Sequence, residues 1–472
     1  MARPYGLVFP VLLACSPAVG PVSDPPPEAD ADGDGYAAEA SGGSDCDDAD
    51  PEVHPGADDD PSDGIDQDCG YDEDTAPPDS APVVDALTDS DGDGFATQDE
   101  GGLDCDDGDP DVYPGSADGR CLDCDGDGVI WVPDSVASLA EAVAAAPSGG
   151  LVCVRAGTYT GTLALEDSRV AIVGVDGPDA TILDARGRGS PLLVSGGELA
   201  LVGLTLTGGV AENGGGLGAY SAAVSLAEVR ITDNQATTSG GGIYIEVAPI
   251  WVRDAQIWGN SALDTSGGGL RCSRCTGVLV RVDVRSNYAR GGEGRTQGGG
   301  GIYAFESPRF ELHNVILAAN ITEGRGGGLD ADTVEGLVLD HVTLVANQGG
   351  NGGGAFLQEL PDPATIQSSV VSYNVADDDA DGIWLFYSDA VFTWSDLWAE
   401  EGGDVTDGAP QDDAGNLSAD PGFVFLQEGF DPTTWDLRPA DGSPLQDAAD
   451  PSELDPDGSP SDIGATGGPG AG

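Results

Sequence analysis

The sequence predicts an all-β fold of the β-solenoid class. Three observations support this prediction: an Asn recurs every 26–33 residues, a Gly-rich turn recurs in phase with it, and the short runs between them alternate with a period of two rather than in a helical pattern. The recurring residues are Asn234, Asn260, Asn287, Asn320, Asn347 and Asn374. One coil of the solenoid therefore corresponds to about 27 residues. The 33-residue step is explained by a loop inserted at 290–297.

Two columns of the repeat are apolar in every copy, as stacked core positions must be. The first column, three residues before each Asn, consists of Ile231, Ile257, Val284, Leu317, Leu344 and Val371. The second, directly after each Gly-rich turn, consists of Leu217, Ile243, Leu270, Ile302, Leu329, Ala355 and Ile383. A ladder of hydrogen bonds is expected between the stacked Asn side chains, as in other stacked strands. Between Leu151 and Trp398 we expect about ten coils and a rod on the order of 45–50 Å long.

The residues that directly follow the second apolar column should point outward, because side chains alternate along a strand. Four of the seven are aromatic, namely Tyr244, Tyr303, Phe356 and Trp384. They predict a stacking face for sugar rings, with strands about 4.8 Å apart. Alternatively, a loop or the C-terminal tail covers them, or the rings simply stabilise that face.

A second outward column, six residues before each Asn, is polar: Glu228, Asp254, Arg281, Asn314, His341 and Ser368. Carboxylates beside an Arg are able to act as acid and base in a lyase or hydrolase. The same set is also what a solvated polar ladder with alternating charges looks like. We assign no catalytic residue from the sequence, and His313 and His341 are not convincing metal ligands in the repeat pattern.

Charge limits the classes of partner. The chain of 472 residues has 84 acidic residues against 17 basic ones, all of them Arg, and a formal net charge of −67. The absence of Lys excludes P-loop phosphate binding and Schiff-base chemistry. Nucleic acids and anionic membrane surfaces are poor partners for such a chain.

Just over half of the net charge, −36, lies between Asp24 and Asp134. Three loops there place Asp at positions 1, 3 and 5 and Gly at position 6, which suits a hard cation with oxygen ligands. The expected Ca²⁺ ligands are Asp30, Asp32, Asp34, Asp89, Asp91, Asp93, Glu100, Asp123, Asp125, Asp127 and Asp134. A disordered acidic linker is the alternative. With Ca²⁺ we expect this segment to be compact, and without Ca²⁺ loose.

The first 15 residues predict export. Arg3 precedes a short apolar run that is too short to span a bilayer, and the run ends at Leu12-Leu13-Ala14-Cys15. This ending resembles a bacterial lipobox, which implies lipidation of Cys15 and, with Ser16 next, an outer-membrane destination. Attachment to the membrane would then be through acyl chains alone. The alternative is an ordinary signal peptide in which Cys15 occurs by chance. The other eight cysteines suit disulfides in an oxidising compartment, and Cys272-x-x-Cys275 favours a local disulfide over zinc.

Two further resemblances are carried by motifs. The Asp45-Cys46-Asp47-Asp48 and Asp104-Cys105-Asp106-Asp107 blocks resemble the metal-binding repeats of some secreted bacterial proteins. The coil columns, the helix-forming run at 138–143 and the ending at 420–468 resemble right-handed parallel β-helix proteins of the pectate-lyase-like superfamily. The Gly-Gly-Gly-Ile and x-x-Asn-x-Ala pattern also resembles polymorphic outer-membrane protein repeats. This fold hosts lyases, hydrolases, adhesins and toxins alike, so it does not decide function.

The sequence therefore predicts a signal peptide (1–15), an acidic calcium-loop segment with Pro-rich linkers (16–134), a β-helix with an N-terminal helical cap (135–400) and a C-terminal tail or cap (401–472). The expected function is that of a non-catalytic, calcium-binding protein of the bacterial envelope, either an outer-membrane lipoprotein or extracellular. Its β-helix would recognise polysaccharide or other cell-surface components. The alternative is a lyase or glycoside hydrolase that acts on polysaccharide with the outer face of the helix.

Overall fold

The computed structural model describes residues 129–398, 406–407, 415–427, 431–455, 458–468 and 471, together with Asp106, Gly108, Asp109 and Val112. These residues form a parallel β-solenoid of about nine turns, which confirms the predicted fold class. Each coil contributes a strand to three parallel faces, here called A, B and C. Within the described part of the chain, no helix is both long and apolar enough to span a membrane.

Face A begins after each Gly-rich turn. Its separate strands are Leu217–Tyr220, Ile243–Glu246, Leu270–Ser273, Ile302–Phe305, Leu329–Asp332, Ala355–Gln358 and Ile383–Phe386. Two long strands bend from face A into face B: Leu163–Gly174 and Leu192–Val202. The short strand Thr406–Asp407 pairs with the last full strand of face A.

Faces B and C complete each coil. The other strands of face B are Ile130–Val132, Gly150–Val154, Ala223–Ala227, Arg309–His313, Leu337–Asp340, Ala364–Gln367 and Ala390–Thr393. The strands of face C are Gly157–Thr160, Thr181–Asp184, Thr205–Thr207, Arg230–Thr232, Ile316–Ala318, Thr343–Val345, Val370–Ser372 and Asp396–Leu397. Two strands run through both faces: Ile250–Trp258 and Thr276–Arg285.

A smaller fourth sheet, here called sheet D, follows the Asn position of each coil. Its parallel strands are Val210–Asn213, Gln235–Ser239, Ser261–Ala262, Tyr288–Ala289, Ile321–Thr322, Gln348–Asn351 and Val375–Asp379. The predicted insertion lies between the fourth strand and face A, and it contains the 3₁₀ helix Glu293–Arg295. The stack continues past it in register.

The register confirms the predicted columns. Ile231 pairs with Ile257, and Leu317 lies between Val284 and Leu344 in the ladder of face C. All of these side chains are fully buried in one continuous core. Because each core position repeats after one coil, the apolar columns bury against their own copies above and below.

The Asn ladder is also confirmed. The Oδ1 atom of Asn320 accepts from the backbone N–H and the Nδ2 of Asn287, at 3.1 and 3.0 Å. Its own Nδ2 donates to Asn347 Oδ1 at 3.0 Å and to the Val284 carbonyl at 2.9 Å. The ladder therefore joins successive coils through side chains as well as through the strands.

Corners between the faces are made by single residues in the left-handed region, and many of these residues are not Gly. The corner from face B to face C is occupied by the polar column from Glu228 to Ser368, with φ between 48° and 54°. Gly supplies the turn from sheet D to face A, for example Gly240 with φ 64°, where a Cβ would lie 2.4 Å from the Ile243 carbonyl oxygen. The predicted polar column is therefore a line of backbone corners.

Described segments on both sides of the stacked coils pack on the solenoid. The α-helix Leu139–Ala145, N-capped by Ser138, places Leu139 and Ala142 in the core at the first coils, as the predicted cap requires. The tail contains an antiparallel pair, Phe423–Phe425 and Asp436–Pro439, and the 3₁₀ helix Pro432–Thr434. It runs along the side of the solenoid, where Leu437 packs against Ala318 and Val345, and Leu445 and Ile463 pack against Val370.

Candidate functional site

The predicted calcium-loop residues lie outside the described part of the chain, with the exception of Asp134, and so does Cys15. Asp134 forms an ion pair with Arg155, at 2.5 Å between Oδ2 and Nε. The Cα atoms of Cys272 and Cys275 lie 5.5 Å apart, which is compatible with the local disulfide that the sequence favoured; that disulfide stays a prediction. The site analysis therefore concerns the outer surface of the solenoid.

Face A carries two outward rows of side chains. Register places Tyr244, Arg271, Tyr303, Asp330, Phe356 and Trp384 side by side in the first row. The second row, two residues later on each strand, consists of Tyr220, Glu246, Ser273, Phe305, Asp332, Gln358 and Phe386. The four predicted aromatic residues thus do share one line.

Sheet D lies beside face A and covers much of the first row. Arg271 donates from Nη1 to Ser239 Oγ and Ser266 Oγ, at 2.9 and 2.8 Å, and so ties the row to that sheet. Tyr244, Tyr303 and Phe356 are only 8%, 1% and 4% exposed, whereas Trp384 is half-buried. Burial raises the pKa of Tyr244 to about 12 and that of Tyr303 further still. Among the four, only Trp384 offers an accessible ring.

The middle of the first row holds a charged cluster that the sequence analysis did not single out. Arg325, from the turn before face A, lies 3.5 Å from Asp330 through Nε and 3.2 Å from Asp332 through Nη2. Its guanidinium also lies 4.6 Å from the centroid of the Phe356 ring and donates to Gln358. The cluster joins three neighbouring coils.

Asp330 is the unusual member of this cluster. It is fully buried, and its polar neighbours are Arg325 and the backbone N–H of Gly298. Burial raises the pKa of Asp330 to about 8, against the lowering effect of Arg325 and with a further increase from Asp332. A carboxyl group that titrates near neutral pH has the chemistry to act as general acid or base together with a neighbouring carboxylate. Its complete burial keeps it from a substrate on the surface.

The first coils of face A leave an open cavity of about 470 Å³. Ala164, Leu193 and Tyr220 form its floor on face A, while Glu212 and Asn213 of sheet D and the loop around Arg188 form its wall. At the first-row position where later coils have Tyr or Arg, the cavity is lined by the smaller side chains of Ala164 and Leu193. An apolar floor with a few polar groups at the rim is typical of a ligand site.

Aromatic rings remain accessible in the second row. The accessible rings are those of Tyr220, Phe305 and Phe386, which are half-buried or exposed. Phe305 lies three coils after Tyr220, and Phe386 lies three coils after Phe305. Each interval is about 14 Å at the usual strand spacing. Each packs on a ring of the first row, such as Tyr220 on Tyr244 with centroids 5.5 Å apart. The buried first row therefore supports an accessible second row.

The predicted polar column forms ion pairs between coils. Arg281 donates to both carboxylate oxygens of Asp254, at 2.6 and 2.8 Å. The tail covers the later part of the column, where Asn314 donates to the Gly467 carbonyl and His341 is buried. This arrangement corresponds to the polar ladder rather than to an open catalytic groove.

Comparisons with known protein families and with characterised protein sequences find no match for this chain. Among solved structures, the chain is similar to a pectate lyase, at 16% identity and a TM-score of 0.35 over 70% of this chain and 90% of that one. It is also similar to a pectin methylesterase in complex with a hexasaccharide, at 11% identity and a TM-score of 0.29 over 59% of this chain and 80% of that one. A third similar structure is an alginate lyase, at 13% identity and a TM-score of 0.23 over 62% of this chain and 53% of that one. All three neighbours are named as enzymes that act on polysaccharides, and similarity this low carries no argument about activity.

Proposed function

We propose that this protein binds a polysaccharide along face A, with the cavity at Tyr220 as the anchoring subsite. The observation that carries the proposal is the combination of that cavity with accessible rings at every third coil of the same row. A ligand that spans these positions must be long and repetitive. Sugar rings present apolar faces that stack on aromatic side chains, and their hydroxyls bind polar groups at the rim.

Polar groups are available where such a ligand would lie. Glu212 and Asn213 border the cavity, and Glu246 and Gln358 stand in the second row between the rings. Arg188 adds a positive charge beside the cavity, which suits a carboxylate of an acidic sugar. The binding site would therefore accept neutral and acidic residues of a glycan chain.

A non-catalytic role fits face A best. The two carboxyls of the charged cluster are buried, and both lie against the guanidinium of Arg325. A glycosidase needs two carboxyl groups on either side of an accessible glycosidic bond. We further propose that this is a calcium-binding protein of the bacterial envelope, either a lipoprotein or extracellular. Cys15 would be its anchor, and the Asp loops of residues 24–134 would be its calcium sites. These parts of the proposal are supported by sequence motifs alone.

The test is binding to a panel of polyuronates and neutral glycans, measured by calorimetry on the full-length protein in the presence of Ca²⁺. Ala164→Trp, which fills the cavity, and Tyr220→Ala, which removes its ring, should each weaken binding about tenfold or more, or roughly 1.4 kcal/mol. Tyr288→Ala, a half-buried Tyr on sheet D, is the matched control and should bind as the wild type does. Equal affinity in all four proteins would contradict the proposal.

A polysaccharide lyase or hydrolase is the second candidate. It is favoured by the raised pKa of Asp330 next to Asp332, and it would require Arg325 to move aside when substrate binds. Absorbance at 235 nm and reducing-sugar release with the same glycans would detect turnover. Turnover that is abolished by Asp330→Asn and by Asp332→Asn would establish this candidate, whereas binding without turnover supports recognition.

A further inference from the structure

A second site lies on the opposite side of the molecule, where the tail crosses the corner between faces B and C. His341 occupies that corner and is 1% exposed. Its Nε2 atom lies 3.7 Å from Oε2 of Glu453, a residue of the tail 112 positions later. Both atoms are buried, and neither has a hydrogen-bond partner among the described residues. Buried polar atoms are normally hydrogen-bonded, so this facing pair calls for an explanation such as an ion held between them.

We propose that His341 and Glu453 bind one divalent transition-metal ion of the zinc class. A zinc ion with ligand distances of about 2.1 Å and tetrahedral angles holds its nitrogen and oxygen ligands about 3.4 Å apart, close to the observed 3.7 Å. One imidazole with one carboxylate suits Zn²⁺, whereas Ca²⁺ and Mg²⁺ select oxygen ligands only. Water completes the coordination.

Asp340 positions the imidazole for this role. Its Oδ1 atom is hydrogen-bonded to Nδ1 of His341 at 2.8 Å, which leaves the lone pair of Nε2 directed at Glu453. Its other oxygen, Oδ2, lies 3.3 Å from Nδ1 of His313 and is thereby held in place. A carboxylate on the far nitrogen of a metal-binding His fixes the tautomer and raises ligand basicity. The candidate ligand atoms of Asp340, His341 and Glu453 all lie within 4.8 Å of one another.

The metal would fasten the tail to the solenoid. Gly468 passes directly over the ring, since a Cβ there would lie 2.6 Å from His341 Nε2. Ala465 is held in the same coil, just after the corner, by a hydrogen bond from its N–H to Thr343 Oγ1 at 3.0 Å. Metal ligation by both His341 and Glu453 would add a coordination link to the hydrogen bonds and apolar contacts that already join the tail to the solenoid. Metal binding would therefore be linked to docking of the tail.

The experiment uses the full-length protein with ¹⁵N-labelled imidazoles. The chain has three His residues, His54, His313 and His341, so each ring signal can be assigned by single substitution. Excess Ca²⁺ first fills the carboxylate sites of the acidic segment, and Zn²⁺ is then titrated. The expected result is a metal-coordinated Nε2 shift for the His341 ring, which His341→Gln removes and His54→Gln retains.

Two further variants keep the test decisive if His341→Gln disturbs the tail. Glu453→Gln preserves the shape of the ligand and should abolish the shift or lower Zn²⁺ affinity at least tenfold, and Asp340→Asn should lower affinity about 10- to 100-fold. Zn²⁺ should also raise the melting temperature of the wild type and not that of Glu453→Gln. A His341 signal that changes with pH alone and ignores millimolar Zn²⁺ would mean a simple ion pair with Glu453 and would overturn the proposal.

Discussion

Removing one side chain from the Asn ladder should destabilise the solenoid far more than a surface change does. The side chain of Asn320 makes four hydrogen bonds, two as acceptor to Asn287 and one each as donor to Val284 and Asn347. A typical intramolecular hydrogen bond contributes about 1 kcal/mol, and a buried group left without its partner costs about 1–3 kcal/mol. Asn320→Ala should therefore lower the free energy of unfolding by about 4 kcal/mol.

The measurement is guanidinium denaturation followed by circular dichroism, with Gln348→Ala as the control. Gln348 is exposed on sheet D one coil later, so its replacement should change stability by no more than about 0.5 kcal/mol. Hydrogen exchange gives a local check, because the backbone N–H of Asn287 loses its acceptor in Asn320→Ala and should exchange faster than that of Asn260, whose acceptor is Asn287. A loss of stability no larger than in the control, with unchanged protection of the Asn287 amide, would refute the reasoning.

Three other predictions follow from the same structure. Burial raises the pKa of Asp330 to about 8, above the usual 3.9 or so of an unfolded carboxyl, so the stability that this group contributes below pH 4 is lost as pH rises to 8. Asp330→Asn should flatten the dependence of melting temperature on pH over that window, and an unchanged slope would argue against the shift. Gly277→Ala would place a Cβ 2.3 Å from the buried ring of Phe310 and should cost about 1–3 kcal/mol in chemical denaturation, whereas Thr276→Ala on the outer side should cost less. Adding millimolar Ca²⁺ to chelator-treated protein should change the circular dichroism and calorimetric profile of residues 24–134, and no change would rule out calcium binding there.

The core and the ladder were predictable because a solenoid converts sequence period into spatial contact. Residues 27 positions apart occupy equivalent places in adjacent coils, so the columns headed by Ile231 and Asn234 describe real neighbours. The same logic placed the insertion at 290–297, whereas the capping helix at the start of the stack was expected from the resemblance of residues 138–143 to the cap of other β-helix proteins. Local pattern was sufficient for these features.

The candidate site was predicted only in part. The outward row of Tyr244 and Tyr303 was aligned correctly, yet a period-two pattern shows only that a side chain leaves the core and not whether a second layer covers it. Sheet D covers this row, and the accessible rings belong to the next outward position, with Phe305 as an example. The cavity was missed because it lies in coils before the first repeated Asn. The small outward residue Ala164 was its signal in the sequence.

By itself, the sequence determined the solenoid, its core columns and its Asn ladder, since each depends on contacts between equivalent positions one repeat apart. Tertiary structure decided which outward residues stay accessible and what the tail touches. Glu453 meets His341 because the chain folds back along the side of the stack, and no period relates the two positions. Contacts within the repeat are encoded by its period, whereas contacts between the repeat and segments outside it depend on a path that only the folded chain reveals.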